Sequence, residues 1–326
     1  MSVALIACSN GYGHTRRLLS IYCALKNKGI RAKLFAKKKI ITDLAKLYSL
    51  SMPSYLHFDS NTNIEHLING RALNWEYKVP KLDKYKVVLS DNLPDILSIR
   101  KDTILSGSFL WHHSLKKINP KLKSKHEFLL SNHRPIMISS NLFTPKYLLE
   151  KTDLRKVGLF SFNQIGNSDK NRKKNLLISF GSNGDPKKFE TFLNKIIKNE
   201  IIVNTFNKIW IEPNLYSNNL PKNCFKASYT KEMYCTLNMA IIRPGIGTIT
   251  DLLENKVNML MYFEKDNLEM QENANIIKNL NLGIILSNYT QLVKLIKSDR
   301  YKIKNSNFNL NFNGANEAVS IIMSRL

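Results

Sequence analysis

Short apolar runs alternate with amphipathic stretches along the whole chain, and this alternation predicts strands that are each followed by a helix. Helical periodicity is clearest early on, over Thr15–Lys28 and Ile40–Tyr48. Five early runs have the length of buried strands: Val3–Cys8, Ala32–Ala36, Val87–Ser90, Thr103–Ser106 and Ile136–Ser139. A helical connection carries the chain back to the end of the sheet at which the previous strand began, so successive strands run in the same direction. These strands therefore predict an open parallel sheet.

A second series of strands and helices follows a polar stretch between residues 163 and 175. Its strands are predicted at Leu176–Phe180, Lys208–Ile211, Met239–Ile242, Asn258–Tyr262 and Gly283–Leu286. Its helices are predicted at Lys187–Lys198, Thr230–Leu237, Thr248–Asn255, Leu268–Leu280, Tyr289–Lys297 and Gly314–Leu326. We therefore expect an α/β protein with two Rossmann-like parallel-sheet domains, residues 1–165 and 166–326, with the last helix free to cross back.

Net charge is the one feature of the composition that changes this picture. The chain has 49 Lys and Arg against 25 Asp and Glu, a formal net charge of +24. Such an excess attracts phosphorylated substrates, anionic lipid headgroups or other polyanions. The lysines are spread along the chain without a nucleic-acid-binding motif, so specific nucleic-acid recognition is not expected. A solvated basic surface and docking on an anionic membrane both remain open.

The sequence predicts a cytoplasmic protein, with peripheral docking on the inner membrane face as the extension of that expectation. No apolar run approaches the roughly 18 residues of a membrane helix. Met1–Cys8 has no basic segment before its apolar run and is interpreted as a first strand. The cysteines are scattered without a Cys-x-x-Cys pair, which is typical of small buried residues in a reducing compartment.

The loop after the first predicted strand, Ser9–Arg17, is rich in glycine. Gly11 and Gly13 allow a tight turn that approaches a ligand closely, and the next helix offers N–H groups to an anion. His14 stands at the start of that helix, where an imidazole suits a general base acting on a hydroxyl or on water; a structural histidine is the alternative. Arg16 replaces the third glycine of a dinucleotide-binding motif, so we expect no such cofactor.

Two loops of the second domain also follow strands. Ser182 lies in the first of them, where its hydroxyl suits a phosphate contact, although a plain turn has a similar composition. The second, residues 243–248, reads Arg-Pro-Gly-Ile-Gly-Thr and opens a helix whose N–H groups suit a diphosphate. Asp251 lies one helical turn after Thr248, where its carboxylate can accept hydrogen bonds from two ribose hydroxyls or complement the helix dipole.

At these residues the chain resembles the GT-B glycosyltransferases, especially the branch that contains the bacterial muramyl-peptide N-acetylglucosaminyltransferase. That branch carries Arg-x-Gly-x-x-Thr-x-x-Glu, which is matched from Arg243 to Asp251 with Asp in place of Glu. The first loop resembles the glycine-rich loop of the family that ends in His. Its Gly-Tyr-Gly-His-x-x-Arg form is also similar to UDP-sugar hydrolases of the pseudaminic acid pathway. The resemblance implies two domains facing a cleft, with residues 1–165 on the acceptor side and 166–326 binding the donor.

The resemblance implies an inverting, metal-independent transfer of a hexosyl or N-acetylhexosaminyl group from a nucleotide sugar, with UDP as the expected nucleotide, in cell-surface glycan biosynthesis. The acceptor would be a glycan, lipid-linked or phosphorylated molecule, and His14 would deprotonate it. Residues implied in donor binding are Gly11, Gly13, Ser182, Thr230, Arg243, Gly245, Gly247, Thr248, Asp251, Glu269, Gln271 and Asn273. Met270 stands where the family has a sugar-binding Gln. A nucleotide-sugar hydrolase, and a noncatalytic protein binding nucleotide sugars or polyanions, are the alternatives.

Two more clusters follow strands of the first domain. Asp91 either faces the cleft or caps a helix. Trp111 and His112 are candidates for lining the acceptor side. Adjacent histidines point in different directions on regular structure, so His112 and His113 are expected to make a poor metal pair. The chain has no Asp-x-Asp, the usual metal–diphosphate ligand of the other large glycosyltransferase fold, so we expect no metal at the diphosphate.

Overall fold

The computed structural model describes residues 2–115, 117–162, 174–181, 185–301 and 309–326. The chain divides into two compact units: unit 1 is Met1–Phe162 with Leu310–Leu326, and unit 2 is Asn163–Asn309. Each unit is built on one parallel sheet with helices between the strands. None of the described helices is both long enough and apolar enough to cross a bilayer.

The strands and helices alternate along the chain. The strands are β1 (Ser2–Ala7), β2 (Arg31–Ala36), β3 (Tyr55–His57), β4 (Val87–Asp91), β5 (Ile104–Ser106), β6 (Ile136–Ser140), β7 (Asp153–Val157), β8 (Asn175–Ser179), β9 (Lys208–Ile211), β10 (Cys224–Lys226), β11 (Met239–Ile242), β12 (Asn258–Met261) and β13 (Gly283–Ile285). The helices are α1 (Tyr12–Asn27), α2 (Lys38–Leu47), α3 (Ile64–Asn69), α4 (Trp111–Ser114), α5 (Pro120–His133), α6 (Tyr147–Lys151), α7 (Pro186–Ile197), α8 (Glu200–Thr205), α9 (Lys231–Thr236), α10 (Ile246–Glu254), α11 (Leu268–Asn279), α12 (Tyr289–Lys297) and α13 (Gly314–Met323). Short 3-10 helices cover Trp75–Lys78, Pro94–Ser98 and Asn141–Phe143.

The sheet of unit 1 has the order β3-β2-β1-β4-β5-β6-β7, and its strands pair in parallel. Its central strands are buried because apolar clusters cover both faces, as expected for a parallel sheet. Helix α13 packs on α1, where Ile322 and Leu18 belong to one of these clusters. Because β1 and β4 are neighbours, the loops that follow them emerge side by side.

The sheet of unit 2 has the order β10-β9-β8-β11-β12-β13 and is also parallel. Strands β8 and β11 are completely buried at its centre. Ile178 and Ile241 from these strands share a core cluster with Phe180 and Phe192. The loops after β8, β11 and β12 are therefore neighbours at the carboxyl edge of this sheet.

The expected parallel α/β architecture is confirmed, and each predicted strand is present with ends displaced by at most one residue. The strands that the apolar pattern missed, β3, β7 and β10, are all edge strands. An edge strand is short and half exposed, so it lacks a continuous apolar run. The first helix begins at Tyr12, earlier than the predicted Thr15, so Gly13 and His14 belong to its first turn.

Candidate active site

His14 and Asp91 meet in unit 1 because their elements are neighbours in the sheet. Asp91 ends β4, and the pairing of β1 with β4 sets it opposite Ala7, just before the loop into α1. The first turn of α1 brings Nδ1 of His14 to 2.7 Å from Oδ1 of Asp91. His14 is 7% exposed and Asp91 is completely buried. A buried carboxylate therefore holds one side of the imidazole.

Two further donors hold the same carboxylate. Arg17, one turn after His14 on α1, places Nη1 2.8 Å from Oδ2 of Asp91. Ser106, at the end of β5, donates its hydroxyl to Oδ2 at 2.7 Å. Burial opposes ionisation of Asp91, but Arg17, His14 and Ser106 outweigh it and hold the pKa of Asp91 below its usual value. A neutral His14 that donates Nδ1–H to the ionised Asp91 carries its lone pair on Nε2.

The surroundings of His14 are aromatic. Its ring centroid lies 5.9 Å from that of Trp111 and 6.2 Å from that of Phe109. Within the described part of the chain, Nε2 of His14 has no hydrogen-bond partner. Of the two interpretations of Asp91, helix capping is wrong, because the 3-10 helix Pro94–Ser98 begins without a side-chain cap.

The two glycines of the first loop have different backbone requirements. Gly11 precedes α1 with φ of 82°, a left-handed conformation that favours glycine. Gly13 lies inside the first turn of α1, where an added Cβ would meet nothing within 4 Å. The fold therefore requires glycine at position 11 but not at position 13. Helix α1 also begins without a side-chain cap.

A second buried polar network adjoins Trp111. The Nδ1 atoms of His112 and His126 lie 3.3 Å apart, and Nε2 of His126 lies 2.8 Å from Oδ2 of Asp95. Lys125 places Nζ 3.2 Å from Oδ1 of Asp95. Burial lowers the pKa of His112 to about 2, so its imidazole is neutral. His112 is thus one end of a hydrogen-bonded chain rather than a side chain open to an acceptor.

The expectation that His112 and His113 point apart is wrong. Both side chains turn toward α5, and the Nε2 atom of each lies 3.3 Å from Oε1 of Glu127. Their ring centroids are 4.4 Å apart. The two side chains converge on the carboxylate of Glu127 on α5, which faces both of them.

Acid is expected to weaken the fold through Asp95. Burial opposes its ionisation, but His126 and Lys125 outweigh burial and lower the pKa of Asp95 from 3.8 to about 2. A lowered pKa stabilises the folded state above the unfolded-state value, so this contribution is complete above about pH 4 and is lost as the pH falls to about 2. We expect urea unfolding to show that the free energy of unfolding falls over this pH range in the wild type. In Asp95→Asn the fall should be smaller by about 2 kcal/mol. Equal losses would contradict the assignment.

Helix α10 begins differently from the other helices of unit 2. In the described residues α7, α8, α9, α11 and α12 each begin with a side-chain cap, from Asp185, Asn199, Thr230, Asn267 and Asn288 respectively. Helix α10 follows Gly245 with no side-chain cap, and a Cβ at Gly245 would meet nothing within 4 Å. Gly247 and Thr248 lie in its first turn and are only partly buried. The first-turn N–H groups of α10 are therefore suited to an anionic ligand.

Asp251 lies on α10, beyond its first turn. The residue is 6% exposed, and the hydroxyl of Tyr234 on α9 donates to its Oδ2 at 3.3 Å. The first turn of α10 contains no acidic residue, so a dipole-complementing charge does not describe Asp251. Tyr234 instead orients the carboxylate.

Arg243 is held within unit 2 by an ion pair. Its Nε lies 2.9 Å from Oε2 of Glu264, and both side chains are largely buried. Oε1 of Glu264 accepts the backbone N–H of Asp185 at 3.1 Å. This carboxylate therefore joins the loops that follow β8, β11 and β12. Glu264 was not singled out from the sequence, although it follows the predicted strand Asn258–Tyr262.

Two residues implied in donor binding make hydrogen bonds within unit 2. Asn273 is buried and donates Nδ2–H to the carbonyl of Pro244 at 3.0 Å, which fixes the loop ahead of α10. Thr230 caps α9 by accepting the N–H of Met233 at 3.4 Å. Both contacts shape the loops of the candidate donor site.

The start of α11 explains the departure from the family pattern at Met270. Met270 is buried in the core, whereas Gln271 is exposed on the following position. Glu269 is partly buried in the first turn of α11. Ser182 lies outside the described residues.

Glu212 is a site residue that the sequence analysis missed. It directly follows β9, is 5% exposed, and its Oε2 accepts the backbone N–H groups of Phe180 at 2.7 Å and Gly181 at 2.8 Å. Burial outweighs these hydrogen bonds and raises the pKa of Glu212. Glu212 therefore fixes the loop after β8. Its position directly after a predicted strand was the available signal.

No family model matches the chain, and no curated protein matches it. Solved structures match it over nearly its whole length. The glycotransferase of kitacinnamycin has a TM-score of 0.65 at 12% identity, covering 100% of this chain and 99% of that chain. The spinosyn rhamnosyltransferase SpnG complexed with thymidine diphosphate has a TM-score of 0.64 at 12% identity, covering 99% and 95%. Arabidopsis thaliana UGT89C1 complexed with UDP-L-rhamnose has a TM-score of 0.63 at 10% identity, covering 99% and 93%. The shared architecture is the GT-B fold, which confirms the fold class expected from the sequence.

Proposed function

We propose that the protein transfers a sugar from a nucleotide sugar to an acceptor hydroxyl, with His14 as the general base. The contact of 2.7 Å between Nδ1 of His14 and Oδ1 of Asp91 carries this proposal. A carboxylate in this position fixes the tautomer of the imidazole and stabilises the imidazolium that forms when the base accepts a proton. The same proposal assigns the acceptor to unit 1 and the nucleotide to unit 2.

The proposed reaction is a direct displacement. The acceptor hydroxyl gives its proton to Nε2 of His14 while its oxygen bonds to the anomeric carbon and the bond to the diphosphate breaks. Attack from the face opposite the leaving group inverts the anomeric configuration. Arg17 and Ser106 keep Asp91 ionised throughout, so that Asp91 acts as a positioning residue for His14.

On unit 2, the uncapped start of α10 supports binding of the diphosphate. Gly245, Gly247 and Thr248 offer backbone N–H groups and the positive end of the helix dipole to the leaving charge. Preorganised donors of this kind usually supply a large share of catalysis. These N–H groups can bind the diphosphate without a cation, and the chain has no Asp-x-Asp to hold one. We therefore propose a metal-independent transfer. Asp251 would accept hydrogen bonds from the ribose, and Glu269 would contact the donor sugar.

The Arg-x-Gly-x-x-Thr element supports UDP as the nucleotide. It also supports a relationship to the muramyl-peptide transferase branch. The net charge of +24 supports a phosphorylated or lipid-linked acceptor and docking on anionic lipid, as expected for cell-surface glycan synthesis. Hydrolysis is the second candidate. It is favoured by the Gly-Tyr-Gly-His-x-x-Arg form of the first loop, in which the arginine, Arg17, contacts Asp91.

Product analysis separates transfer from hydrolysis. The protein would be incubated with a panel of UDP-sugars, with and without extracted lipid-linked and phosphorylated glycans, and released UDP and free sugar would be measured. A transferase releases UDP without equivalent free sugar once an acceptor is present, and hydrolyses the donor slowly without one. Rapid and equal release of UDP and free sugar in the absence of acceptor would establish the hydrolase. No release under any condition would contradict both.

A further inference from the structure

Three side chains of unit 1 converge between α4 and α5. Nε2 of His112 and Nε2 of His113 each lie 3.3 Å from Oε1 of Glu127. The three ligand atoms all lie within 4.8 Å of one another. The side chain of His112 is completely buried, whereas those of His113 and Glu127 are 28% and 29% exposed. The cluster therefore has a buried side and a side open to water.

Neither Nε2 atom makes a hydrogen bond of acceptable geometry within the described residues, although both atoms are buried. A buried polar atom without a partner is costly, so two such atoms aimed at one oxygen require an explanation.

The chain of contacts from Asp95 to His112 orients the ring of His112. Lys125 balances the charge of Asp95, and Asp95 accepts Nε2–H of His126 at 2.8 Å. Nδ1 of His126 lies 3.3 Å from Nδ1 of His112, so one of these two atoms donates to the other and holds the ring of His112. Nε2 of His112 faces the carboxylate oxygen Oε1 of Glu127 at 3.3 Å.

The other two side chains are also held in place. The ring of His113 stacks on that of Tyr147 with centroids 3.9 Å apart. Lys151 places Nζ 2.9 Å from Oε2 of Glu127, which turns Oε1 toward the histidines. Contacts that orient ligands in this way are typical of metal sites.

We propose that His112, His113 and Glu127 bind a divalent transition metal, with Zn²⁺ as the best fit and water as the fourth ligand. Zinc bonds to nitrogen and oxygen are about 2.0–2.1 Å long, so the ligand atoms of a tetrahedral site lie about 3.3 Å apart. The two N–O separations of 3.3 Å match that spacing. Two imidazoles favour zinc, copper or nickel over Mg²⁺ or Ca²⁺, which prefer oxygen.

Such a metal would fix the wall of the His14 site. Helix α4 is only four residues long, and metal ligands at His112 and His113 would anchor it to α5. Trp111, the residue before them, lies 5.9 Å from the ring of His14. The metal would therefore have a structural role, holding Trp111 in position. Its site is separate from the proposed diphosphate contact.

Metal titration of the tag-free protein tests this proposal, since a polyhistidine tag would itself bind metal. The protein would be stripped with a chelator and titrated with Zn²⁺ by calorimetry and with Co²⁺ by visible absorption. We expect one equivalent to bind, with the absorption of tetrahedral Co²⁺, and the melting temperature to rise with added Zn²⁺. Glu127→Gln and His113→Asn are each expected to weaken Zn²⁺ binding at least tenfold.

His133→Ala is the matched control, because His133 ends the same helix α5 outside the cluster. It is expected to bind both metals like the wild type. Circular dichroism of each metal-free variant separates loss of the site from loss of the fold. A wild type without saturable Zn²⁺ binding or a Co²⁺ spectrum would overturn the proposal without any variant. So would binding that Glu127→Gln and His113→Asn leave unchanged.

Discussion

Replacing His14 with alanine is expected to lower kcat by about 10²- to 10⁴-fold, the usual contribution of a positioned general base. The proton of the acceptor hydroxyl then has no acceptor at the position that Nε2 occupies. The binding of the nucleotide should hardly change, since the proposed donor contacts are on unit 2. Steady-state turnover measured beside the affinity for UDP tests both parts.

His133→Ala is a suitable control for this variant, since it removes a histidine from the same unit at the end of α5. It should turn over like the wild type. If His14→Ala retained full turnover, His14 would be a structural histidine. If it lost turnover and nucleotide affinity together, the separation of base and donor site between the units would be wrong.

Replacing Asp91 with asparagine is expected to lower both stability and turnover. Arg17 and His14 would face a neutral amide at 2.8 and 2.7 Å inside the protein. Removing one partner of a buried ion pair costs about 3–5 kcal/mol, because the other charge stays buried without a counterion. The amide can also present its NH₂ group to Nδ1, which would favour the wrong tautomer of His14 and reduce turnover even in the folded fraction.

Asp153→Asn provides a matched control. Asp153 and Arg155 form an ion pair of the same length, 2.8 Å, but both side chains are about half exposed. Exposed pairs contribute about 0–1 kcal/mol, so this variant should unfold at nearly the same urea concentration as the wild type. Equal stability losses in the two variants would show that Asp91 is not the buried counterion described here.

The central strands of both sheets and the loops that follow them could be predicted from the sequence, because buried parallel strands are continuous apolar runs. It also places His14 and the uncapped glycine start of α10, since both directly follow such strands. The partner of His14 could be named as a candidate but not assigned. Asp91 lies far from His14 along the chain, and only the pairing of β1 with β4 brings them together.

The remaining contacts depend on packing that a single sequence does not show. Asn273 and Thr230, which were singled out from a family resemblance, hold a carbonyl and cap a helix, and neither contact could be read from the sequence. Glu212 and Glu264 follow predicted strands and could have been found by the same rule that found Asp91. The convergence of His112 and His113 depends on α5, a helix too polar to be recognised from its periodicity.

Calorimetric titration with UDP, without added metal, tests the central claim that unit 2 binds the nucleotide of a sugar donor. The account predicts saturable binding that Asp251→Asn weakens about 10- to 100-fold, because hydrogen bonds to a carboxylate contribute about 1.5–3 kcal/mol. Asp266→Ala, which removes an exposed carboxylate just before α11, should bind UDP like the wild type. Absence of binding to both UDP and thymidine diphosphate, or equal affinity in Asp251→Asn and the wild type, would contradict it.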